Sequence, residues 1–443
     1  MEIWALVMFI VVVLFLLLGY PVAFTLGAVA FLFGGISLGL SYFSLLPLRI
    51  WGIMTNFSLL AVPLFVFMGV ILEKSGIAEE LLETMGELFG RVSGGLGVSI
   101  VLVGALLAAT TGVVGATVVT MTVIALPVML KHGYQTELAT GTIAASGTLG
   151  QIIPPSIILV LLGDVIGVPV GQLFMAAVIP GLVIIFLFIL YILLWSKLHP
   201  EFAPPVMQFN SATSDSSSLP LRVIKSLLPP LILVFSVLGS IFFGIASPTE
   251  SAAVGALGAI ILAIANKRFS VNNLKEAMRS TTKMTSMVFL ILIGATAFGL
   301  VFRGMGGDEL VKTFMTQLPG GQWGFIIVSM ALIFILGFFL DFIEICFIVV
   351  PILGPIAHYF DINLLWFAVL IAMNLQTSFL TPPFGFSLFY LKAAAPPDVR
   401  MQKIYSGIIP FVIIQIVALA VILMFPSVAL WLPELMDAMR LAG

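Results

Sequence analysis

Two stretches in the first half of the chain place glycines and small hydroxyl residues inside otherwise apolar sequence. One runs from Thr110 to Thr117 and reads TTGVVGAT. The other runs from Ser146 to Gln151 and leads into Pro154-Pro155-Ser156. A double proline cannot continue the hydrogen-bond ladder of a helix, so carbonyl groups are left free. Free carbonyl and hydroxyl oxygens suit Na⁺, and the two stretches therefore predict broken helices that hold a cation.

The second half contains two comparable stretches. Gly337–Glu344 reads GFFLDFIE, and Asn374–Pro383 reads NLQTSFLTPP. Carboxylates within a membrane mark ion or substrate paths, and the N-termini of half-helices present N–H groups to an anionic substrate. Two structural interpretations remain open. The spacing of Asp341 and Glu344 also fits a helix-capping box, and Thr and Gly can serve only close helix packing. Ser247-Pro248-Thr249-Glu250 is better explained as a capping box.

Composition defines the surroundings of these stretches. Of 443 residues, 61% are apolar and only 9% are charged, and the mean hydropathy is +1.24. Soluble domains have roughly 25% charged residues, so the chain is expected to be an all-α polytopic membrane protein. A net charge of −2 offers no basic face for nucleic acid. The lone Cys346, three scattered histidines and the lack of a P-loop predict no enzyme activity and no cofactor.

The chain contains two copies of one unit. Five landmarks recur in order with offsets between 224 and 230 residues: Pro21 and Pro248, Gly76 and Gly306, Pro127 and Pro351, Pro154-Pro155 and Pro382-Pro383, and Pro180 and Pro410. The predicted repeats are 1–200 and 228–443, joined by a polar cytoplasmic linker at 201–227 that contains NSATSDSSS.

Each repeat is expected to cross the membrane five times, since a crossing needs about 20 apolar residues. The predicted crossings are 3–20, 22–46, 57–74, 138–166 and 170–195, then 228–247, 249–265, 284–303, 363–390 and 405–431. The interrupted stretches 96–131 and 322–358 do not change the parity. An odd number of crossings makes the second repeat inverted relative to the first, as in secondary transporters.

Charge fixes the predicted orientation. The loop 266–283 carries five basic residues and is placed in the cytoplasm by the positive-inside rule. Fourteen of the 18 basic residues then lie inside, which leaves these outside: Arg49, Arg303, Lys312 and Arg440. Both termini are expected in the periplasm. Residues 79–88, 270–283 and 308–317 are expected to lie along the membrane surface.

GATVVTMTVIALPVMLKHGY followed by GTLGQIIPPSIILVLLGD resembles the large membrane subunit of tripartite ATP-independent periplasmic (TRAP) transporters. FFLDFIEICFIVVPILGPI followed by MNLQTSFLTPPFGFSLFYL does so as well. The resemblance runs from about residue 4 to 432. One departure is at Thr111-Gly112-Val113, where relatives often have Ser-Gly-Ser, so backbone carbonyls take a larger part among the expected ligands.

The resemblance implies an elevator mechanism in the inner membrane, with a transport domain that slides against a scaffold. The implied scaffold helices are 3–74 and 228–303, the implied transport elements are 96–166 and 322–390, and helices 170–195 and 405–431 follow them. It also implies a small four-helix membrane subunit and a soluble periplasmic protein that binds the substrate, usually an organic anion. Na⁺ is the implied coupling ion.

Carried onto this chain, the resemblance implies two sodium sites. The first comprises Thr110, Thr111, Gly112, Gly115, Thr117, Gly147, Thr148, Gly150 and Gln151. The second comprises Leu340, Asp341, Glu344, Gln376, Thr377, Ser378 and Thr381. Asp341, Asn374 and Ser156 are the candidate substrate residues. A stand-alone carrier with a similar inverted-repeat fold, such as a dicarboxylate symporter or an ion antiporter, remains the alternative; an ion channel fits one asymmetric chain less well.

Overall fold

The computed structural model describes residues 2–112, 114–206 and 219–442, and this part of the chain is all-helical. The helices before residue 207 are α1 (Glu2–Leu17), α2 (Val22–Ser37), α3 (Leu46–Met54), α4 (Ala61–Lys74), α5 (Ile77–Phe89), α6 (Gly95–Thr111), α7 (Val114–Lys131), α8 (Thr136–Thr148), α9 (Ile157–Ile166) and α10 (Val170–Leu198). Those after residue 218 are α11 (Leu219–Phe242), α12 (Pro248–Ala265), α13 (Val271–Gly304), α14 (Gly307–Thr316), α15 (Gln322–Leu336), α16 (Phe342–Ile348), α17 (Val350–Tyr359), α18 (Leu364–Leu380), α19 (Phe386–Ala394), α20 (Met401–Met424) and α21 (Ser427–Ala442).

Many of these helices are apolar enough to lie in a membrane. Within the described residues, six are long enough to cross it unaided: α7, α10, α11, α12, α13 and α20. Two bent pairs raise the number to eight: residues 40–54 with 58–74, and α16 with α17. Six shorter apolar helices complete the set. Several of the crossings expected from the sequence are therefore built from shorter helices.

The crossing predicted at 22–46 is wrong in its second part. Helix α2 ends at Ser37, and a 3₁₀ turn (Leu40–Leu45) leads into α3. Gly39, which has a φ of 83°, separates the two pieces, because a helix does not continue through a positive φ. Pro47 then occupies the first turn of α3, where its missing N–H costs nothing.

The stretch 270–283 does not form a separate surface helix. It is the first part of α13, which continues without a break for 34 residues. No Gly or Pro occurs between Val271 and Ile293, so nothing in the sequence stops the helix where its composition changes from polar to apolar. Ser270 caps its start by accepting a hydrogen bond from the Asn273 N–H at 3.0 Å, and Lys74 forms an ion pair with Glu276 at 2.9 Å.

Two further boundaries differ from the sequence-based expectation. The predicted linker 201–227 is partly helical, because α11 already begins at Leu219 and its Arg222 pairs with Glu87 of α5 at 2.9 Å. Its residues 207–218 lie outside the described part of the chain. The crossing predicted at 405–431 ends at Met424, since Pro426 disfavours helical geometry at Phe425.

The two halves of the chain pack against each other helix by helix. Helix α12 packs along α4, α13 along α2, and α20 along α8. The last contact is backbone against backbone: a methyl group added at Gly141 of α8 would overlap the carbonyl group of Gly407 in α20. Helix α5 buries Leu81, Leu82 and Met85, as expected for an amphipathic helix.

Candidate functional site

The first pair of broken helices is formed by α6–α7 and α8–α9. Helices α6 and α7 meet at Gly112, whose φ of 60° ends α6. Helix α8 ends at Thr148, a 3₁₀ turn covers Leu149–Gln151, and α9 begins only after Ser156. The peptide bond between Pro154 and Pro155 in this gap is cis.

Glycines bring these two breaks into direct contact. A methyl group added at Gly112 would lie 3.1 Å from the Ile157 side chain, and one at Gly150 would lie 3.3 Å from the Ala108 carbonyl oxygen. One at Gly147 would overlap the Val118 side chain. The tip of the α6–α7 hairpin therefore lies against the interruption between α8 and α9.

The second pair of breaks lies between α15 and α16 and between α18 and α19. Helix α15 ends at Leu336, and α18 ends at Leu380, just before the cis bond between Pro382 and Pro383. A methyl group added at Gly337 would overlap the hydroxyl of Ser378. The rings of Phe342 and Phe379 have centroids 6.2 Å apart. This hairpin tip, too, lies against a helix break.

Asp341 and Glu344 form a capping box at the start of α16. The Phe342 N–H donates to the Asp341 carboxylate at 2.7 Å, and the Asp341 N–H donates to the Glu344 carboxylate at 3.2 Å. The prediction that this pair forms a helix-capping box is therefore confirmed. It does not exclude the functional one, because Asp341 is only half-buried and lines a cavity.

This cavity, here called the central cavity, has a volume of about 430 Å³. Both hairpin tips line it, through Gly112 and Gly115 from the first half and Asp341 and Phe342 from the second. The opposite wall comes from α4 and α13, through Val62, Val66, Met284, Met287 and Val288. Pockets of this size hold small organic molecules. Among the lining residues that the structure describes, Asp341 is charged and no side chain is basic.

Several side-chain oxygen atoms near the two breaks are available to accept or coordinate a further group. The hydroxyls of Thr148, Thr377, Ser378 and Thr381 each donate their hydrogen to a carbonyl three or four residues earlier, at 2.7–2.8 Å. A hydroxyl that donates in this way keeps its lone pairs for another partner. The side-chain amides of Gln151 and Gln376 are fully buried, and among the described residues neither the oxygen nor the nitrogen of either amide has a hydrogen-bond partner.

Other candidate residues have different surroundings. The Asn374 amide donates to the Met330 carbonyl at 2.7 Å, and the Ser156 hydroxyl donates to the Gln151 carbonyl at 3.0 Å. Neither residue lines the central cavity, and Leu340 is 1% exposed. Thr117 is buried in α7. The side chains of Thr110 and Thr111 lie outside the described part of the chain, as does Val113.

Three further residues that line the central cavity were not predicted from the sequence: Tyr390, Met284 and Met287. The Tyr390 ring lies against Gly115, where an added methyl group would be 3.1 Å away. Tyr390 follows the second double proline by seven residues, and this proximity was the available signal. The two methionines carry no such signal, because methionine is ordinary in an apolar helix.

A multi-pass chain whose described part is helical, with broken helices around a central cavity, has the construction of a membrane transporter. The profile of the family "Tripartite ATP-independent periplasmic transporter, DctM component" matches residues 9–428. The chain belongs to this family, which confirms the identification of a TRAP large permease subunit made from its motifs.

Individual TRAP permeases are similar in sequence to this chain over most of its length. The sialic acid TRAP transporter large permease protein SiaM of Vibrio cholerae is 31% identical over 422 residues, covering 94% of this chain and 95% of that protein. The C4-dicarboxylate permease DctM of Pseudomonas aeruginosa is 28% identical, covering 88% and 89%. The ectoine permease TeaC of Halomonas elongata is 27% identical, covering 95% and 96%.

Solved structures show a similar fold at low identity. The YdaH transporter of Alcanivorax borkumensis has a TM-score of 0.61 at 14% identity, covering 89% of each chain. MtrF of Neisseria gonorrhoeae has a TM-score of 0.53 at 14% identity, covering 89% of this chain and 85% of that one. At this identity the likeness concerns the fold alone.

Proposed function

We propose that this chain is the permease of a Na⁺-coupled TRAP system that imports a small organic anion. The central cavity is the proposed substrate site. The relatives named for C4-dicarboxylates and sialic acid support an anionic, carboxylate-bearing substrate. The relative named for ectoine indicates that the choice of solute differs within the family.

The observation that carries the proposal is the charge of the central cavity. Its described lining offers the Asp341 carboxylate and no Lys or Arg. An organic anion placed beside this carboxylate in a site shielded from water needs a positive charge nearby. A bound Na⁺ supplies that charge, and binding of substrate and cation then becomes interdependent.

The residues around the breaks fit a Na⁺ ion. The free lone pairs of Thr148 and Thr377 and the unpartnered amides of Gln151 and Gln376 are oxygen donors close to the two hairpin tips. A buried polar atom without a partner is unfavourable, so a bound ion or water at these positions relieves a cost. Helix α9 begins at Ile157, which lines the central cavity, and the N–H dipoles at this end of the helix favour the substrate anion.

The proposed movement is of the elevator type, between two inverted repeats. One wall of the central cavity belongs to the hairpins, and the other belongs to α4 and α13. A cavity that lies along such a boundary allows one group of helices to carry the solute past the other. Lys283 belongs to the end of α13 that is proposed to lie in the cytoplasm, and Met284 follows it directly. The central cavity is therefore proposed to lie beside the cytoplasmic half of α13.

The proposed partners are a small four-helix membrane subunit and a soluble periplasmic binding protein, in the bacterial inner membrane. Both termini are proposed to lie in the periplasm. The family membership supports these proposals, since the DctM component is one part of a tripartite system.

Uptake into proteoliposomes tests the proposal. The two membrane subunits are reconstituted, and the binding protein is added outside with radiolabelled succinate or sialic acid. We expect uptake only with an inward Na⁺ gradient and with the binding protein present. Uptake that persists with K⁺ in place of Na⁺ would contradict Na⁺ coupling. Uptake that needs neither partner would favour the stand-alone carrier instead.

A further inference from the structure

A second cavity lies near the opposite end of α13. Its volume is about 370 Å³, and it is here called the outer vestibule. Thr296, Gly299 and Arg303 of α13 line one side, and Arg49 and Asn56 lie on another. Residues of α9, α16 and α17 close it, so the outer vestibule, like the central cavity, lies between the proposed scaffold and transport elements.

The outer vestibule brings together two of the few basic residues expected at the outer end of the protein. Only four of the 18 basic residues are expected at the outer end, and two of them, Arg49 and Arg303, line this one cavity. Within the described part of the chain, neither arginine forms an ion pair within 4.0 Å or a hydrogen bond. Both guanidinium groups therefore keep their donors for a ligand.

Local geometry directs Arg303 into the outer vestibule. A methyl group added at Gly299, one turn earlier on α13, would lie 3.4 Å from Nη2 of Arg303. The absence of a side chain at this position lets the guanidinium lie back along the helix toward Thr296. Arg303, an exposed residue at the end of α13, thus lies along the wall of the outer vestibule.

Two acidic groups lie near these arginines, and one of them lines the outer vestibule. Asp164 accepts a hydrogen bond from the Asn56 amide at 2.6 Å. Asp308 also lines the outer vestibule, and partial burial raises its pKa while the charge of Arg303 opposes that rise. Two arginines against one aspartate leave the lining net positive. Apolar walls, including Phe302 and Phe347, strengthen the field inside.

We propose that the outer vestibule is a transient binding site for a small carboxylate anion, held by Arg49 and Arg303 before it reaches the central cavity. This inference rests on the proposed import of an organic anion. Planar guanidinium groups bind carboxylates with two parallel hydrogen bonds. The vestibule supplies at the outer end the positive charge that the central cavity lacks, and so concentrates the anion at the entrance.

The test measures local charge without requiring transport. Thr296→Cys is made in a Cys346→Ala background, and the chain is reconstituted with its small subunit. The rate at which the cysteine introduced at position 296 is modified is then compared between an anionic and a cationic methanethiosulfonate of similar size. Gln322→Cys, on an exposed position of α15, is the reference thiol. We expect the anionic reagent to be preferred by about tenfold or more at Thr296→Cys, relative to the reference.

Charge variants show whether the arginines cause the preference. The double variant Arg49→Gln/Arg303→Gln is expected to reduce it to within about twofold, whereas Arg303→Lys, which keeps the charge, should retain most of it. Unchanged labelling of Gln322→Cys shows that the double variant is folded. An equal rate for both reagents in the parent, or a preference that survives the double variant, would overturn the proposal.

Competition identifies the occupant. Millimolar succinate is expected to slow modification of Thr296→Cys by the anionic reagent, and neutral succinamide is not. Absence of protection by succinate overturns the proposal, and protection by the binding protein alone would make the vestibule a protein contact. The labelling is done without a Na⁺ gradient, so its failure is distinct from a failure of coupled uptake.

Discussion

Asp341 and Glu250 take part in the same local motif but in different surroundings. Ser247 and Glu250 form a capping box at the start of α12, with hydrogen bonds of 2.7 and 2.8 Å to the Glu250 carboxylate. Asp341 and Glu344 form another at α16. Glu250 is exposed, while Asp341 lines the central cavity between the two hairpin tips. A motif that explains the local fold thus leaves the function of Asp341 to be decided by experiment.

Asp341→Asn is expected to reduce uptake severely while the amount of protein in the membrane stays near normal. Asn caps a helix about as well as Asp, so the substitution removes the charge and keeps the cap. The lost carboxylate would alter the field felt by the proposed Na⁺ and substrate in the central cavity. The measurement is initial uptake in proteoliposomes across a Na⁺ titration.

Glu250→Gln is the matched control, since Gln also completes a capping box. It should retain substantial uptake at an equal level in the membrane. If Asp341→Asn transports like the parent with the same Na⁺ dependence, then Asp341 is only a cap and the second sodium site is misplaced.

At the scale of the helices, the contact between α8 and α20 joins the two halves of the chain. Gly141 and Gly407 allow the two backbones to touch, and a methyl group at either position would overlap the backbone of the other helix. Lys403 and Glu137 add an ion pair at 3.6 Å one turn away. A contact between backbones cannot relax by a change of rotamer, so it holds the two helices at one separation.

Gly141→Ala is expected to destabilise the protein by about 1–3 kcal/mol, the usual cost of overpacking. The thermal unfolding temperature in detergent should fall, and less protein should reach the membrane. Gly354→Ala is the control, because no heavy atom lies within 4 Å of a methyl group at that position. Equal unfolding temperatures for the two variants would show that α8 and α20 separate freely.

The helix breaks were the most predictable elements. Double prolines and clustered glycines interrupt a hydrogen-bond ladder regardless of the surroundings, so the gaps before α9 and α19 follow from the sequence. The sequence did not predict α13 as one continuous helix. The change from polar to apolar residues after Lys283 suggested that one helix ends there and another begins, although no residue at this point interrupts a helical backbone. The cavity wall formed by Met284 and Met287 depends on packing between distant helices, which no local pattern encodes.

At the scale of the molecule, α13 is the longest described helix and is long enough to reach from one side of a membrane to the other. Lys275 and Arg303 lie on this helix about 42 Å apart, at 1.5 Å per residue. The hydrocarbon core of a bilayer is about 30 Å thick, so α13 is long enough for these two residues to lie on opposite sides of a membrane. From the positive-inside rule we expect Lys275 in the cytoplasm.

Cysteines at Lys275 and Glu309 are expected to react with an impermeant thiol reagent from opposite sides. The substitutions Lys275→Cys and Glu309→Cys are made singly in a Cys346→Ala background, and both positions are exposed. In intact spheroplasts only Glu309→Cys should be labelled, and in inside-out vesicles only Lys275→Cys. Labelling of both from one side would refute the proposed topology.

The length of α13 also has a consequence for the surrounding lipid. The 19 uncharged residues between Lys283 and Arg303 span about 28 Å, which nearly equals the hydrocarbon thickness of an ordinary bilayer. A thinner bilayer can accommodate this segment only if the helix tilts, and a thicker one only if its charged ends are drawn inward or the lipid thins locally. Because α13 lines both cavities, we expect its tilt to change the width of each. Acyl-chain length is thus expected to be a physical variable through which the membrane itself affects the transport rate.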